Sequence, residues 1–179
     1  EEKNILKILK KINKIKKKIS PFKVVLVDDC SSDNTKKLAK KNFNFNLIYK
    51  KHKKNKGLSL TLETGFKLIR KRAKKNDIVI TLDSDNTHPI EKIFNMFQEI
   101  NNTNDIVIAS RFQKTSKVKG VSSFRKLMTI GAKFLFKIFY PYKNLNDYTC
   151  NFRAYKFYLI NNLLKNKIFF KNEDFNIAA

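Results

Sequence analysis

Phe22-Lys23-Val24-Val25-Leu26-Val27-Asp28-Asp29-Cys30-Ser31-Ser32-Asp33 passes from an apolar run into two carboxylates and a polar turn. The run over 22–27 is rich in β-branched residues and lacks the polar alternation of a half-solvated strand. That pattern predicts a buried strand of the parallel type. Ser32 or Asp33 is placed to cap a short helix reaching Lys41. Upstream, Ile5, Leu6, Ile8, Leu9, Ile12, Ile15 and Ile19 recur at helical spacing over 4–19, and Ser20-Pro21 ends that helix.

Working outward, residues 47–49 predict a second strand. Gly57 opens a helix with Leu58, Leu62, Phe66 and Ile69 on one stripe. A strand over 78–82 follows, then a helix from Pro89 carrying Ile90, Ile93, Phe94, Phe97 and Ile100. Another strand over 106–109 leads into a Lys/Ser/Gly loop over 113–123. The helix predicted over 124–139 puts Leu127, Met128, Gly131, Phe134, Leu135 and Ile138 on its apolar side. Strands alternating with helices imply βαβ units in a Rossmann-like α/β fold, a mostly parallel sheet flanked by helices. No repeat or Gly/Ser linker divides residues 1–179, so a single domain is expected.

Lys and Arg total 39 against 15 acidic residues, a net charge of +24. Only five of the basic residues are arginines: Arg70, Arg72, Arg111, Arg125 and Arg153. The lysines are spread over almost every polar face, mixed with Asn and Ile. Two readings of that charge stand together, a compositional bias on a solvated surface or a surface drawn to an anionic membrane. A basic nucleic-acid-binding module would want clustered Arg and exposed aromatics on a known motif; the Phe residues fall instead on apolar helix faces, so no nucleic-acid partner is expected. No apolar run approaches a membrane span and no secretory signal is visible. Cys30 and Cys150 lack metal-type spacing, which with the rest predicts a cytoplasmic protein.

Rossmann-like sheets bind ligands at the carboxyl ends of their strands. The residues just past the predicted strands are Asp28 and Asp29, then Asp83 and Asp85, then Ser110 and Arg111. Polar strand ends and capping aspartates are ordinary, but two carboxylate pairs at successive strand ends are not. Asp83 and Asp85 flank one residue, so in extended geometry both point to one side, about 6 to 7 Å apart. Such a pair suits a hard divalent cation, Mg²⁺ or Mn²⁺, that borrows further oxygens from a diphosphate. His88, close by, reads as a supporting group. Gly57 lacks the GxxxxGK[ST] pattern, which argues against an ordinary kinase or ATPase.

Five segments in order resemble family 2 glycosyltransferases. Residues 24–35 are similar to a VDDxSxDxT segment, and Asn55-Lys56-Gly57-Leu58 with Gly65-Phe66 to an NxGxxxAxxxGF stretch. Leu82-Asp83-Ser84-Asp85-Asn86-Thr87-His88-Pro89 resembles a DADxxHxP motif of the DxD type. Ile108-Ala109-Ser110-Arg111-Phe112 resembles GSRY, with Ala109 in place of Gly. Residues 146–155 resemble the D-x-T-S/C-G-F/Y-R-A-Y segment of dolichol- and polyprenol-phosphate sugar synthases, with Asn151 in place of Gly.

The resemblance implies a GT-A fold and metal-dependent, inverting transfer from a nucleotide sugar of the GDP-mannose or UDP-glucose type. It implies a polyprenyl or dolichyl phosphate as acceptor, and an enzyme peripheral to the anionic cytoplasmic face of a membrane. Asp28, Asp29 and Gly57 would hold the nucleotide and Asp83 the diphosphate. Asp83, Asp85 and Thr87 would hold the metal. Asp85, Arg111 and Arg125 would form the catalytic set, the arginines on phosphates, and Asp147 and Arg153 would shape the acceptor end. Glu173-Asp174 reads as an ordinary acidic pair rather than a base. The resemblance also implies that this stretch lacks the family's first strand and stops short of its end. A family 2 enzyme acting on a soluble sugar or polysaccharide is the second reading.

Overall fold

The computed structural model describes the backbone of residues 2–16, 18–19, 21–43, 46–102, 104–113, 123–143 and 145–166, and their side chains except those of 102, 123, 125 and 126. Its elements are α1 (Glu2–Ile15), β1 (Val24–Asp28), α2 (Thr35–Asn42), β2 (Leu47–Lys51), α3 (Gly57–Arg70) and β3 (Ile78–Thr81). A 3₁₀ turn (Ile90–Lys92), α4 (Ile93–Asn102), β4 (Ile106–Ile108), α5 (Ser123–Phe139), β5 (Arg153–Lys156) and α6 (Phe157–Asn166) follow.

β1 and β2 pair in parallel, Val24 opposite Leu47 and Asp28 opposite Lys51, with α2 as the crossover. The other strands lie in the order β3-β5-β4, with β5 antiparallel to both neighbours. Thr81 and Ile108 both face Arg153, so β3 and β4 run the same way and end where β5 begins. The α/β class stands, and among the described residues the strands pair as two sheets, parallel between β1 and β2 and antiparallel at both contacts of β5. This strand lies inside a segment the sequence reading treated only as a motif.

The helices cover the strands through stripes at helical spacing. Ile5, Ile8, Leu9 and Ile12 of α1 are buried with Ala39, Phe43 and Ile90, against Val24 and Leu26 of β1. Phe66 of α3 and Ile160 and Leu164 of α6 pack on Val79 and Tyr155. Met96 and Ile100 of α4 join Cys150, Phe152 and Ala154 on the β3-β5-β4 sheet. Each such Ile or Leu contributes about 1.5 to 3 kcal/mol when fully buried. The α5 helix is built the other way round. Its half-buried positions are Thr129, Ala132, Lys133 and Phe136, while Leu127, Met128, Ile130, Phe134, Leu135, Ile138 and Phe139 are exposed.

Candidate active site

At the end of β1 the chain must leave the sheet and present two carboxylates at once. Asp28 is buried; its Oδ1 accepts the Ser31 N–H at 2.7 Å and its Oδ2 accepts the Tyr49 hydroxyl. Burial pushes this carboxyl up, but the Tyr49 and Ser31 hydrogen bonds and the Lys51 charge outweigh it and leave the pKa below the ordinary value. Asp29 caps α3: its oxygens accept the N–H of Lys56 at 2.9 Å and of Gly57 at 2.8 Å. His52, only 6% exposed, reaches Asp29 Oδ1 through Nδ1 at 2.6 Å and Thr64 Oγ1 through Nε2 at 2.9 Å. Burial of Asp29 opposes ionisation, yet the bonds from His52, Lys56 and Gly57 bring its pKa down as well.

The turns behind both acidic pairs are left-handed. Cys30 (φ 73°) follows Asp28-Asp29 and Asn86 (φ 63°) follows Asp85, and Gly57 at the start of α3 has φ 79°. Non-glycine residues seldom adopt this conformation, and its use behind each pair redirects the chain while the carboxylates stay at the strand end. Asn86 is tied down by Lys11 of α1, whose Nζ donates to its Oδ1 at 2.9 Å.

Past β3, Asp85 Oδ1 accepts both the backbone N–H of Thr87 at 2.9 Å and its hydroxyl at 2.7 Å. Asp83 Oδ2 lies 3.0 Å from His88 Nε2, and the His88 ring stacks on Phe152 with centroids 5.1 Å apart. Past β4, Arg111 closes a fork on Asp147, Nε to Oδ2 at 2.9 Å and Nη2 to Oδ1 at 2.8 Å, while the backbone N–H of Arg111 also donates to Oδ2. Nη2 reaches Thr149 Oγ1 as well. Asp147 is 1% exposed, and its carboxylate is engaged by Arg111. Arg153 is buried too and donates from Nε to the Cys150 carbonyl at 2.6 Å and from Nη2 to that of Tyr148. The two expected acceptor-end residues therefore brace the 147–153 loop from inside. Arg125 lies on α5 and its side chain is outside the described residues, as are Lys114 and the pair Glu173-Asp174.

A cleft of about 360 Å³ opens between the two strand ends, lined among others by Asp28, Asp29, Asn55 and Ser84. Of the Asp83–Asp85 turn, it is Ser84 that lines this cleft, which lies at the carboxyl end of β1. Among the described residues no three His, Cys, Asp or Glu side chains are grouped to enclose a metal ion. The donor set still fits a cation completed by a diphosphate: Asp83 Oδ1 and Asp85 Oδ2 have no protein hydrogen bond among the described residues. Two free carboxylate oxygens are what Mg²⁺ takes from a protein when phosphate and water supply the rest. Gly57, expected at the nucleotide, gives its N–H to Asp29 and Asn55 Oδ1 and so shapes the cleft.

Sequence reasoning missed His52, Tyr49 and Thr149. His52 directly follows β2, so the rule that selected Asp28 and Asp83 would have found it had β2 been extended to Lys51. Tyr49 carries no local signal and only the β1–β2 register discloses it, while Thr149 is the Thr of the D-x-T segment and gains a partner in the Arg111 fork.

Residues 1–164 match the family described as Glycosyl transferase family 2. The chain is 31% identical over 152 residues to a dolichol-phosphate mannosyltransferase of Pyrococcus furiosus, covering 84% of this chain and 42% of that protein. It is 31% identical over 163 residues to an uncharacterised protein of Methanocaldococcus jannaschii, covering 87% of this chain and 67% of that one. A UDP-N-acetylglucosamine–dolichyl-phosphate N-acetylglucosaminyltransferase of Methanococcus voltae shares 28% identity over 127 residues, 63% of this chain and 50% of that protein. The chain thus spans 42% of the length of the first of these relatives.

Proposed function

The chain belongs to glycosyl transferase family 2, and on that premise we propose that it moves a hexose from a nucleoside-diphosphate sugar to a lipid phosphate. The donor is of the GDP-mannose or UDP-glucose type and the acceptor a polyprenyl or dolichyl phosphate at the cytoplasmic face of an anionic membrane. The observation that carries the reading is the cleft at the end of β1 lined by Asp28, Asp29 and Ser84, the last of them the residue between Asp83 and Asp85. Two relatives whose names specify dolichol- or dolichyl-phosphate enzymes favour the lipid branch, and the +24 charge suits an anionic surface.

In the reaction an oxygen of the acceptor phosphate forms a bond to the anomeric carbon from the side opposite the diphosphate. The bond from that carbon to the diphosphate oxygen breaks, and the nucleoside diphosphate leaves with the electron pair. A phosphate acceptor is already anionic at neutral pH, so no side chain has to remove a proton from it. Asp28 and Asp29, both held ionised, fix the nucleoside end of the cleft. Asp83 and Asp85 would hold Mg²⁺ or Mn²⁺, with Thr87 orienting Asp85. When bound, that cation supplies positive charge against the departing diphosphate. Arg111 keeps Nη1 for a phosphate while Asp147 fixes the rest of its fork, and the family resemblance gives Arg125 the role of a second phosphate ligand.

The test is a thermal-shift panel of nucleotide sugars with and without Mn²⁺, followed by transfer to polyprenyl phosphate or to a free sugar. A Mn²⁺-dependent shift with transfer to the lipid phosphate is expected. Transfer to the free sugar alone would move the protein to the soluble-acceptor branch. Salt-sensitive binding of DNA or RNA without any nucleotide-sugar shift would overturn the enzyme reading.

A further inference from the structure

His52 is a buried titratable group that the transfer reaction leaves unused. Its side chain is 4% exposed and both ring nitrogens are engaged, Nδ1 with Asp29 Oδ1 at 2.6 Å and Nε2 with Thr64 Oγ1 at 2.9 Å. So enclosed, the ring reaches no reacting atom and is not the acid or base of the reaction. An ionised Asp29 oxygen can only accept, so Nδ1 carries a proton. In the neutral ring Nε2 then accepts from the Thr64 hydroxyl.

The contact does more than complete a helix cap. The N–H groups of Lys56 and Gly57 already supply that cap from the loop before α3. His52 comes instead from the end of β2, and its own backbone N–H donates to the Asp28 carbonyl at 2.9 Å. Residue 52 thus grips the Asp28-Asp29 pair twice, once through the backbone and once through the side chain. With Oδ1 held by the ring and Oδ2 by the Gly57 N–H, the Asp29 carboxylate has no freedom to rotate. Thr64 lies about two turns into α3, so the same ring ties Asp29 to the body of that helix as well.

We propose that His52 is a positioning residue of the donor site, which locks the Asp29 carboxylate and the 53–57 loop in the geometry that receives the nucleotide sugar. Asp29 and Asn55 both line the cleft, and Asn55 Oδ1 accepts the same Gly57 N–H that Asp29 holds. A carboxylate free to rotate releases Gly57 and with it the Asn55 edge of the cleft. Part of the binding free energy then goes into ordering that loop. Among the described residues His52 has no hydrogen bond to the Asp83–Asp85 turn, so its effect falls on donor affinity and not on the requirement for Mn²⁺. The purpose of this device rests on the nucleotide-sugar reading, while the geometry it fixes does not.

Two single variants divide the contacts of the ring. His52→Asn sets an amide near the place of Nδ1, keeping a donor for Asp29 and losing Thr64. His52→Gln sets its amide near the place of Nε2, keeping a partner for Thr64 and losing Asp29. Both are titrated with the nucleotide sugar that shifts the unaltered chain, at a temperature where each is fully folded. His52→Gln should bind about tenfold more weakly than the unaltered chain, the scale of one hydrogen bond to a charged group. His52→Asn should bind several times more tightly than His52→Gln. Amide exchange at Lys56 and Gly57 needs no ligand and should be faster in the Gln variant than in the Asn variant. Equal donor affinities in the two variants, or equal exchange at both amides, overturns the inference, because the ring then contributes stability alone. If no nucleotide sugar shifts the unaltered chain, the proposed function falls, and the exchange comparison still decides whether His52 holds Asp29.

Discussion

Arg111 and Asp147 meet through two parallel contacts, 2.9 Å and 2.8 Å long, across 36 residues of sequence. The pair ties the end of β4 to the loop that starts β5. Burial raises the Asp147 pKa, but the hydrogen bonds and charge of Arg111 win and hold it below the ordinary value, while the same bonds raise that of Arg111. A depressed folded-state pKa contributes stability that is present above the unfolded value, about 3.9, and is lost as pH falls through the folded value.

Asp147→Asn should therefore lower stability at neutral pH by about 3 kcal/mol, the lower end for breaking a buried pair. The lower end applies because the Arg111 side chain is 38% exposed. Urea unfolding of both proteins at neutral pH and near about pH 3 checks the sign. The gap between them should narrow in acid; a gap of equal size at both values would rule out the ion pair as its source.

Arg111→Lys keeps the charge but removes the fork. A lysine cannot hold both Asp147 oxygens and Thr149 while presenting a donor to a phosphate. We expect transfer to fall at least about tenfold, corresponding to about 1.4 kcal/mol. Nucleotide-sugar binding should weaken less than turnover. Full activity in the lysine variant would mean that charge alone is needed at this position.

Asp85→Ala should abolish the Mn²⁺-dependent part of nucleotide-sugar binding and leave the melting temperature nearly unchanged. Asp85 is exposed and its described partners are confined to Thr87, so the fold loses little. A cation shared with a diphosphate loses one of only two carboxylates. Titration with and without Mn²⁺ decides it, and a persisting metal-dependent shift would remove Asp85 from the metal site.

Two glycines of one helix should respond to alanine with opposite signs. Gly57 has φ 79° and open space around it, so Gly57→Ala is opposed by conformation alone, at about 1 to 2 kcal/mol. At Gly65 a Cβ would meet Val27 Cγ2 at 3.6 Å, an ordinary contact, so Gly65→Ala should stabilise the helix by up to about 1 kcal/mol. Denaturant midpoints of the two variants check the pair, and equal shifts would contradict the conformational account.

Much of the architecture could be read from periodicity. The α1 stripe and the apolar runs of β1 and β3 announce themselves because burial on one face or on both leaves a repeat in the chain. β5 did not, since Arg153-Ala154-Tyr155-Lys156 is short, begins and ends on a charged residue, and is buried through its neighbours. Arg153 is satisfied there by carbonyls of its own loop, a compensation no composition count reveals. At the site, the aspartates stand past strand ends that periodicity reveals, but the partners of Asp28 and Asp29 across it, Tyr49 and His52, depend on register. The α5 helix shows the limit most plainly. Its apolar stripe reads as a face packed on a sheet, and only the fold shows that Leu127, Phe134, Leu135 and Ile138 are exposed.

The position of β5 also sets a timetable. β1 finds β2 across one short helix, so that parallel unit closes locally as the chain is made. β3 and β4 have no strand partner among the described residues except β5, and Ile78 must wait for Lys156. Two apolar strands therefore leave the ribosome as open edges and stay so until the stretch around Arg153 arrives, an interval in which they are exposed to wrong pairing. Synthesis that pauses before this stretch yields half a sheet, and chaperone demand should peak there.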